Sequence, residues 1–237
     1  MIEMMRMKNT ILFLLIALFS GVAGGQELTN TNINKVDSQG RKQGNWKAYD
    51  VNGNLKFEGR FVDGLPVGTS TYYYPDGKIR AVSEMIDGGK RSHTKIYHKN
   101  TRLMAEGNYL NKQKDSTWKY YSDFDGVLLS TEHYENGVLE GKVINYYPSG
   151  EVAEEIPYEN GLKEGVWKQY FTDGKLKLKA TYVNDLLEGL MLVYYQNGVP
   201  EISGMYENNF KHGMWIHFNE RGEVIKKETF RNGRLKK

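Results

Sequence analysis

The chain has 237 residues, a net charge of +3, no cysteine, and 26 glycines and 17 tyrosines against only 5 prolines. The missing cysteines exclude disulfides, thiolate metal sites, cysteine nucleophiles and a lipidated cysteine. Acidic and basic residues are mixed along most of the chain, which argues against a nucleic-acid partner, and an aromatic content of 13% argues for a folded chain.

Residues 1–25 are predicted to be a secretory signal peptide. Arg6 and Lys8 precede the apolar run 11–19, and small residues from Ser20 to Gly25 follow it. Cleavage is expected between Gly25 and Gln26. The run is too short to span a bilayer. The mature protein is therefore expected in the periplasm, at the cell surface or outside the cell. Residues 26–40 read as a short linker.

Residues 41–237 repeat. Aligned on Gly44, Gly68, Ser92, Ser116, Gly141, Gly165, Gly189 and Gly213, the chain shows eight units with a spacing of 24 residues and a single spacing of 25. The extra residue falls in the turn Ser122–Gly126. With the aligned residue as position 0, all four tryptophans occupy position 2: Trp46, Trp118, Trp167 and Trp215. Position 5 is always aromatic: Tyr49, Tyr73, Tyr97, Tyr121, Tyr146, Tyr170, Tyr194 and Phe218. Position 9 holds Gly53, Gly77, Gly150, Gly174, Gly198 and Gly222, with Gly126 displaced by the insertion. Position 17 is aromatic again, from Phe61 to Phe230, except at Met85. The third unit is the most degenerate, with Thr101 and Lys112 where glycines belong.

Each unit reads as two strands and two turns. Asp76-Gly77, Asn136-Gly137, Asn160-Gly161 and Asn197-Gly198 suit hairpin turns, because glycine takes positive φ without strain. Leu176, Leu178, Ala180 and Tyr182 alternate with Lys177, Lys179 and Thr181, the period of a sheet with one buried face. The last unit puts Lys226 and Glu228 on that face, as a terminal cap would. The first strand is less regular. Positions 2 and 5 have opposite parity, so either a bulge separates Trp167 from Tyr170 or the tryptophan covers the other face. Eight hairpins predict an all-β, elongated antiparallel meander of about 16 strands. Strands of six to eight residues are short for an outer-membrane barrel.

The run Gly165-Val166-Trp167-Lys168-Gln169-Tyr170, with Gly174, Leu176 and Tyr182, resembles the MORN-repeat variant proteins and the related bacterial YwqK-family antitoxin group. The resemblance extends over residues 41–237. It implies a twisted antiparallel meander serving as an interaction scaffold.

No constellation for catalysis stands out. His93, His98, His133, His212 and His217 lack convergent partners and read as surface residues, so neither a metal nor another cofactor is expected. The glycines sit at hairpins rather than between a strand and a helix, so no phosphate loop is indicated. Glu154, Glu155 and Glu159 read as a solvated strand face. The sequence thus points to a non-enzymatic, exported scaffold binding a protein or an envelope component. Membrane association without a span is compatible with it. An antitoxin-like role and a module for carbohydrates or lipid headgroups are the alternatives. The repeat aromatics read either as the sheet's own apolar face or as an exposed platform. The tyrosines beyond the shared pattern, Tyr72, Tyr74, Tyr120, Tyr147 and Tyr195, are the candidate binding surface.

Overall fold

The computed structural model describes residues 32–236. The expected signal peptide and its cleavage point lie outside the described residues. The described chain forms one open sheet of 20 strands in which every pair of hydrogen-bonded strands is antiparallel, and its first and last strands do not pair with each other. The four strands beyond the expected number have simple origins. Two first strands are each split in two, at Glu140 and at Glu164, and a two-residue strand is added at each end, Lys35–Val36 and Arg234–Leu235. The segment expected to be a linker therefore partly joins the sheet. Lys35 pairs with Gln43, and Val36 with Lys42.

The two turns of a unit are different devices. In the first, the Tyr74 N–H donates to the Lys78 carbonyl (2.8 Å) and the Gly77 N–H to the Tyr74 carbonyl (2.9 Å). Only Gly77 takes positive φ (82°), so this is a three-residue loop closed by a glycine bulge. In the second, both central residues are left-handed: Asn160 at 50° and Gly161 at 82° make a two-residue hairpin whose twist suits the flanking strands. The degenerate third unit keeps this geometry without glycine, because Thr101 (70°) and Lys112 (68°) adopt the left-handed conformation themselves.

The aligned residue at position 0 is a bulge inside the first strand, not a turn. Gly68 (67°) lies within Leu65–Tyr73, and the ladder to the preceding strand shifts register across it. Ser116 takes the same conformation at 60°. Ser92 is the exception: the strand Arg91–Tyr97 pairs with Ile79–Ile86 without a shift.

The parity question resolves in favour of opposite faces. Trp118 packs edge-on against Tyr109, and Trp215 against Tyr206 and Phe230, all position-17 rings. Position-5 tyrosines point the other way. Tyr121 donates its hydroxyl to Glu106 (2.7 Å), and Tyr73 donates to Glu58, residues adjacent in sequence to Gly107 and Gly59 on the tryptophan side. A second register shift falls between positions 4 and 5 of each unit, as between Gln169 and Tyr170.

The sheet has a single layer, so its core is one face. Ala81, Ile96, Ala105 and Trp118 form the buried cluster there, flanked by Tyr72, Tyr109, Tyr120 and Tyr134. Small residues along the middle of this face, Ser70, Ser83, Thr94 and Gly107, let the flanking rings close over them. Aromatic pairs of this kind contribute about 0.5–1.5 kcal/mol each beyond area burial.

Candidate binding faces of the sheet

The aromatic face carries more charge than its composition suggests. Each tryptophan follows a lysine by four residues: Lys42, Lys114, Lys163 and Lys211. Three of these ammonium groups stand over the indole, at 4.5 Å for Lys42 on Trp46, 4.8 Å for Lys114 on Trp118 and 4.2 Å for Lys211 on Trp215. Lys114 also lies over Tyr120 (5.0 Å) and Tyr134 (4.8 Å), inside a cage of three rings. Beside it the Tyr134 hydroxyl donates to Glu132 (2.6 Å), a carboxylate buried on this same face. Burial, with the Glu132 charge adding to it, pushes the Tyr120 and Tyr134 hydroxyls well above their ordinary range.

Glu154 is also on the aromatic face, which corrects its expected place among solvated residues. Adjacent strand residues point to opposite sides, so Glu155 and the exposed Glu159 lie on the other surface, where Glu155 pairs with Lys142 at 3.0 Å. Glu154 instead accepts hydrogen bonds from Asn145 (2.7 Å), Trp167 (2.8 Å) and Gln169 (3.0 Å).

The five candidate tyrosines fall into two groups, all half-buried. Tyr72 and Tyr120, at position 4, pack against the same core cluster. Tyr74, Tyr147 and Tyr195, at position 6, sit in separate units. Their hydroxyls donate to the main-chain carbonyls of Tyr97 (2.8 Å), Tyr170 (2.6 Å) and Phe218 (2.8 Å), each in the following unit. These bonds staple one repeat to the next. What the three offer a ligand is ring surface.

The second face changes character along the chain. In the first four units its outer row reads Asn45 with Arg60, Thr69 with Glu84, His93 with Asn108, and Thr117 with His133. From the sixth unit the same row reads Val166 with Thr181, Leu190 with Met205, and Met214 with Thr229, and its apolar members Val166, Leu190, Met205 and Met214 are exposed by 41, 50, 43 and 53%. Leu190 pairs directly with Met205. Leu192 and Ile216 flank Ser203 in the adjoining row. In the amino-acid sequence this patch is marked by parity alone, since each of these residues neighbours one on the aromatic face.

The histidines take local partners, such as Asn108 for His93 and Glu228 for His217, and no three potential metal ligands converge among the described residues. Surface depressions, one of about 610 Å³ beside Lys226 and Leu235 and one of about 340 Å³ beside Asn184 and Glu207, lie at the last strands of the sheet and at a turn.

An open meander whose faces are built from tandem hairpins is a repeat protein, with broad surfaces in place of a cleft. The MORN repeat variant family model matches residues 42–63, 66–87, 139–160, 163–184 and 187–208. Five of the eight units thus match the MORN repeat variant, a repeat type that generally mediates protein or membrane binding. Comparison with curated proteins gives no match. The unmatched stretches have physical peculiarities: the third unit lacks its turn glycines, the fourth carries the insertion, and the eighth places Lys226 and Glu228 on the aromatic face. All three keep the paired strands of the others.

Proposed function

We propose that the protein is an exported, non-enzymatic scaffold that binds a protein or envelope component along its sheet. The observation that carries this reading is the exposed apolar side chains Val166, Leu190, Met205 and Met214 of the last three units, in a row that is polar in the first four units. Exposed apolar surface gathered on one side of a fold marks an interaction site more often than chance. The charged rows of the earlier units keep that surface from extending over the whole sheet. Ion pairs there, such as Lys47 with Glu58 (3.4 Å), contribute little to stability and serve solubility instead.

The test is affinity capture from envelope extract with the wild-type chain and with a Leu190→Asp/Met214→Asp variant. A partner retained by the first and lost by the second supports the reading. A partner held equally by both overturns the assignment of this face. Export is tested by N-terminal sequencing of protein recovered from the envelope: a start at Gln26 supports it, and an intact Met1 overturns it.

A further inference from the structure

The four tryptophans share a slot but not an environment, and the odd one defines a site. Trp118 and Trp215 lie directly over Gly107 and Gly204, eleven residues earlier, where even a methyl group would overlap the indole. Their ring N–H groups donate to the main-chain carbonyls of Asn108 (2.9 Å) and Met205 (3.2 Å). The residue eleven before Trp167 is Ile156. The pairing of Glu154 with Gln169 and Glu155 with Lys168 sets Ile156 at the register those glycines hold, so a branched side chain stands where glycine leaves space for the indole. The ring stays partly exposed, whereas Trp118 and Trp215 are buried. Its N–H turns to Glu154 (2.8 Å).

Two consequences coincide at this point. Lys163, which precedes Trp167 as the other lysines precede their tryptophans, stands over Tyr182 (4.8 Å) instead of the indole. Among the described residues, the Trp167 ring thus has no ammonium over it. Glu154 beside it is held by three donors, Asn145, Trp167 and Gln169, and all are neutral. A half-buried carboxylate is therefore fixed in place by neutral groups, next to an indole face that elsewhere in the sheet is covered by an ammonium group. Carboxylate and ring attract the same class of group.

We propose that Glu154 and Trp167 form a receptor for the ammonium group of a lysine side chain presented by a partner polypeptide. The incoming lysine would take the position that Lys42, Lys114 and Lys211 take over their own tryptophans, with Glu154 as counter-ion. The partner rests on the scaffold reading; the site itself does not, and it lies on the opposite face from the apolar row, so the two can fail separately.

The probe is Nα-acetyl-lysine amide, whose side-chain ammonium is free, titrated into the full chain while the four indole N–H resonances are followed by NMR. The expected result is a saturable shift of the Trp167 signal, with Trp46, Trp118 and Trp215 unmoved. Glu154→Gln should weaken binding about tenfold or more, the scale of one charge-assisted contact. Ile156→Gly should let the indole drop onto the sheet and remove the shift although Glu154 is intact. The three unmoved indoles report that each variant is folded. No saturable shift, an equal shift with the uncharged norleucine analogue, or undiminished binding by Glu154→Gln would overturn the proposal.

Discussion

At the scale of single residues, the fold depends on backbone conformations that only some side chains tolerate. Thr101 holds φ at 70° in the turn where six other units carry glycine in register. A β-branched residue pays about 1–2 kcal/mol there that glycine does not. Thr101→Gly is expected to raise stability by about 1 kcal/mol, the relief being partly offset by glycine's greater freedom in the unfolded chain. A urea melt with an unchanged slope and a higher midpoint is the result to look for. The opposite case is Gly204, whose φ is ordinary and whose requirement is space. A methyl there meets the Trp215 ring carbons, so Gly204→Ala should cost about 1–3 kcal/mol through displacement of the indole. Its measurable sign is a more exposed tryptophan together with a lower urea midpoint.

At the scale of the hairpin, neighbouring units are joined by more than ladder bonds. The Tyr195 hydroxyl reaches the Phe218 carbonyl across 23 residues, and the Glu188 carboxylate accepts the Asn208 N–H at 2.9 Å. Tyr195→Phe keeps the ring and deletes only the first of these. It should cost about 1 kcal/mol, and the loss should appear as faster hydrogen exchange in Phe210–Phe218 before any change in the first units. This level of structure was only half legible in the sequence. Strands and turns follow from local signals: Asn-Gly pairs, alternation, and a period held to one residue. The staples do not, because their acceptors are main-chain carbonyls that leave no mark on composition. Gly68 serves in the sequence as the alignment point of a unit, and that it is a bulge within a strand depends on the pairing of Leu65–Tyr73 with the strand before it. The lysine four residues before each tryptophan was legible as a pattern and lay just outside the frame chosen for the repeat. Glu154 was misplaced for want of parity alone. The swing of Trp167 required knowing that Ile156 lies beneath it, which is register, not sequence distance.

At the scale of the whole molecule, a single-layer sheet stores much of its stability in half-buried tyrosines, and this fixes how it responds to pH. Tyr73, Tyr109 and Tyr121 are each pushed up to about 12, burial being the first cause and, for Tyr73 and Tyr121, a bond to Glu58 or Glu106 the second. Tyr120 and Tyr134 are raised as well. In the unfolded chain all five would ionise near 10.0. A folded value above the unfolded one means that the stabilisation is complete below pH 10.0 and is lost as pH rises from there through about 12. The largest shifts lie between 73 and 134, so the loss falls mainly on the second to fourth units, although burial raises Tyr170, Tyr182, Tyr195 and Tyr206 of the sixth and seventh as well. Because a repeat protein is held by nearest-neighbour contacts, that region should open before the sixth to eighth units do. Alkaline titration should therefore show tyrosinate absorbance rising in two steps, exposed rings first and these five together with loss of strand signal. Tyr121→Phe removes one ionisable group from the cluster and should move the second step to higher pH. A single ionisation step near 10 with the strand signal intact would show that the rings are not buried as described.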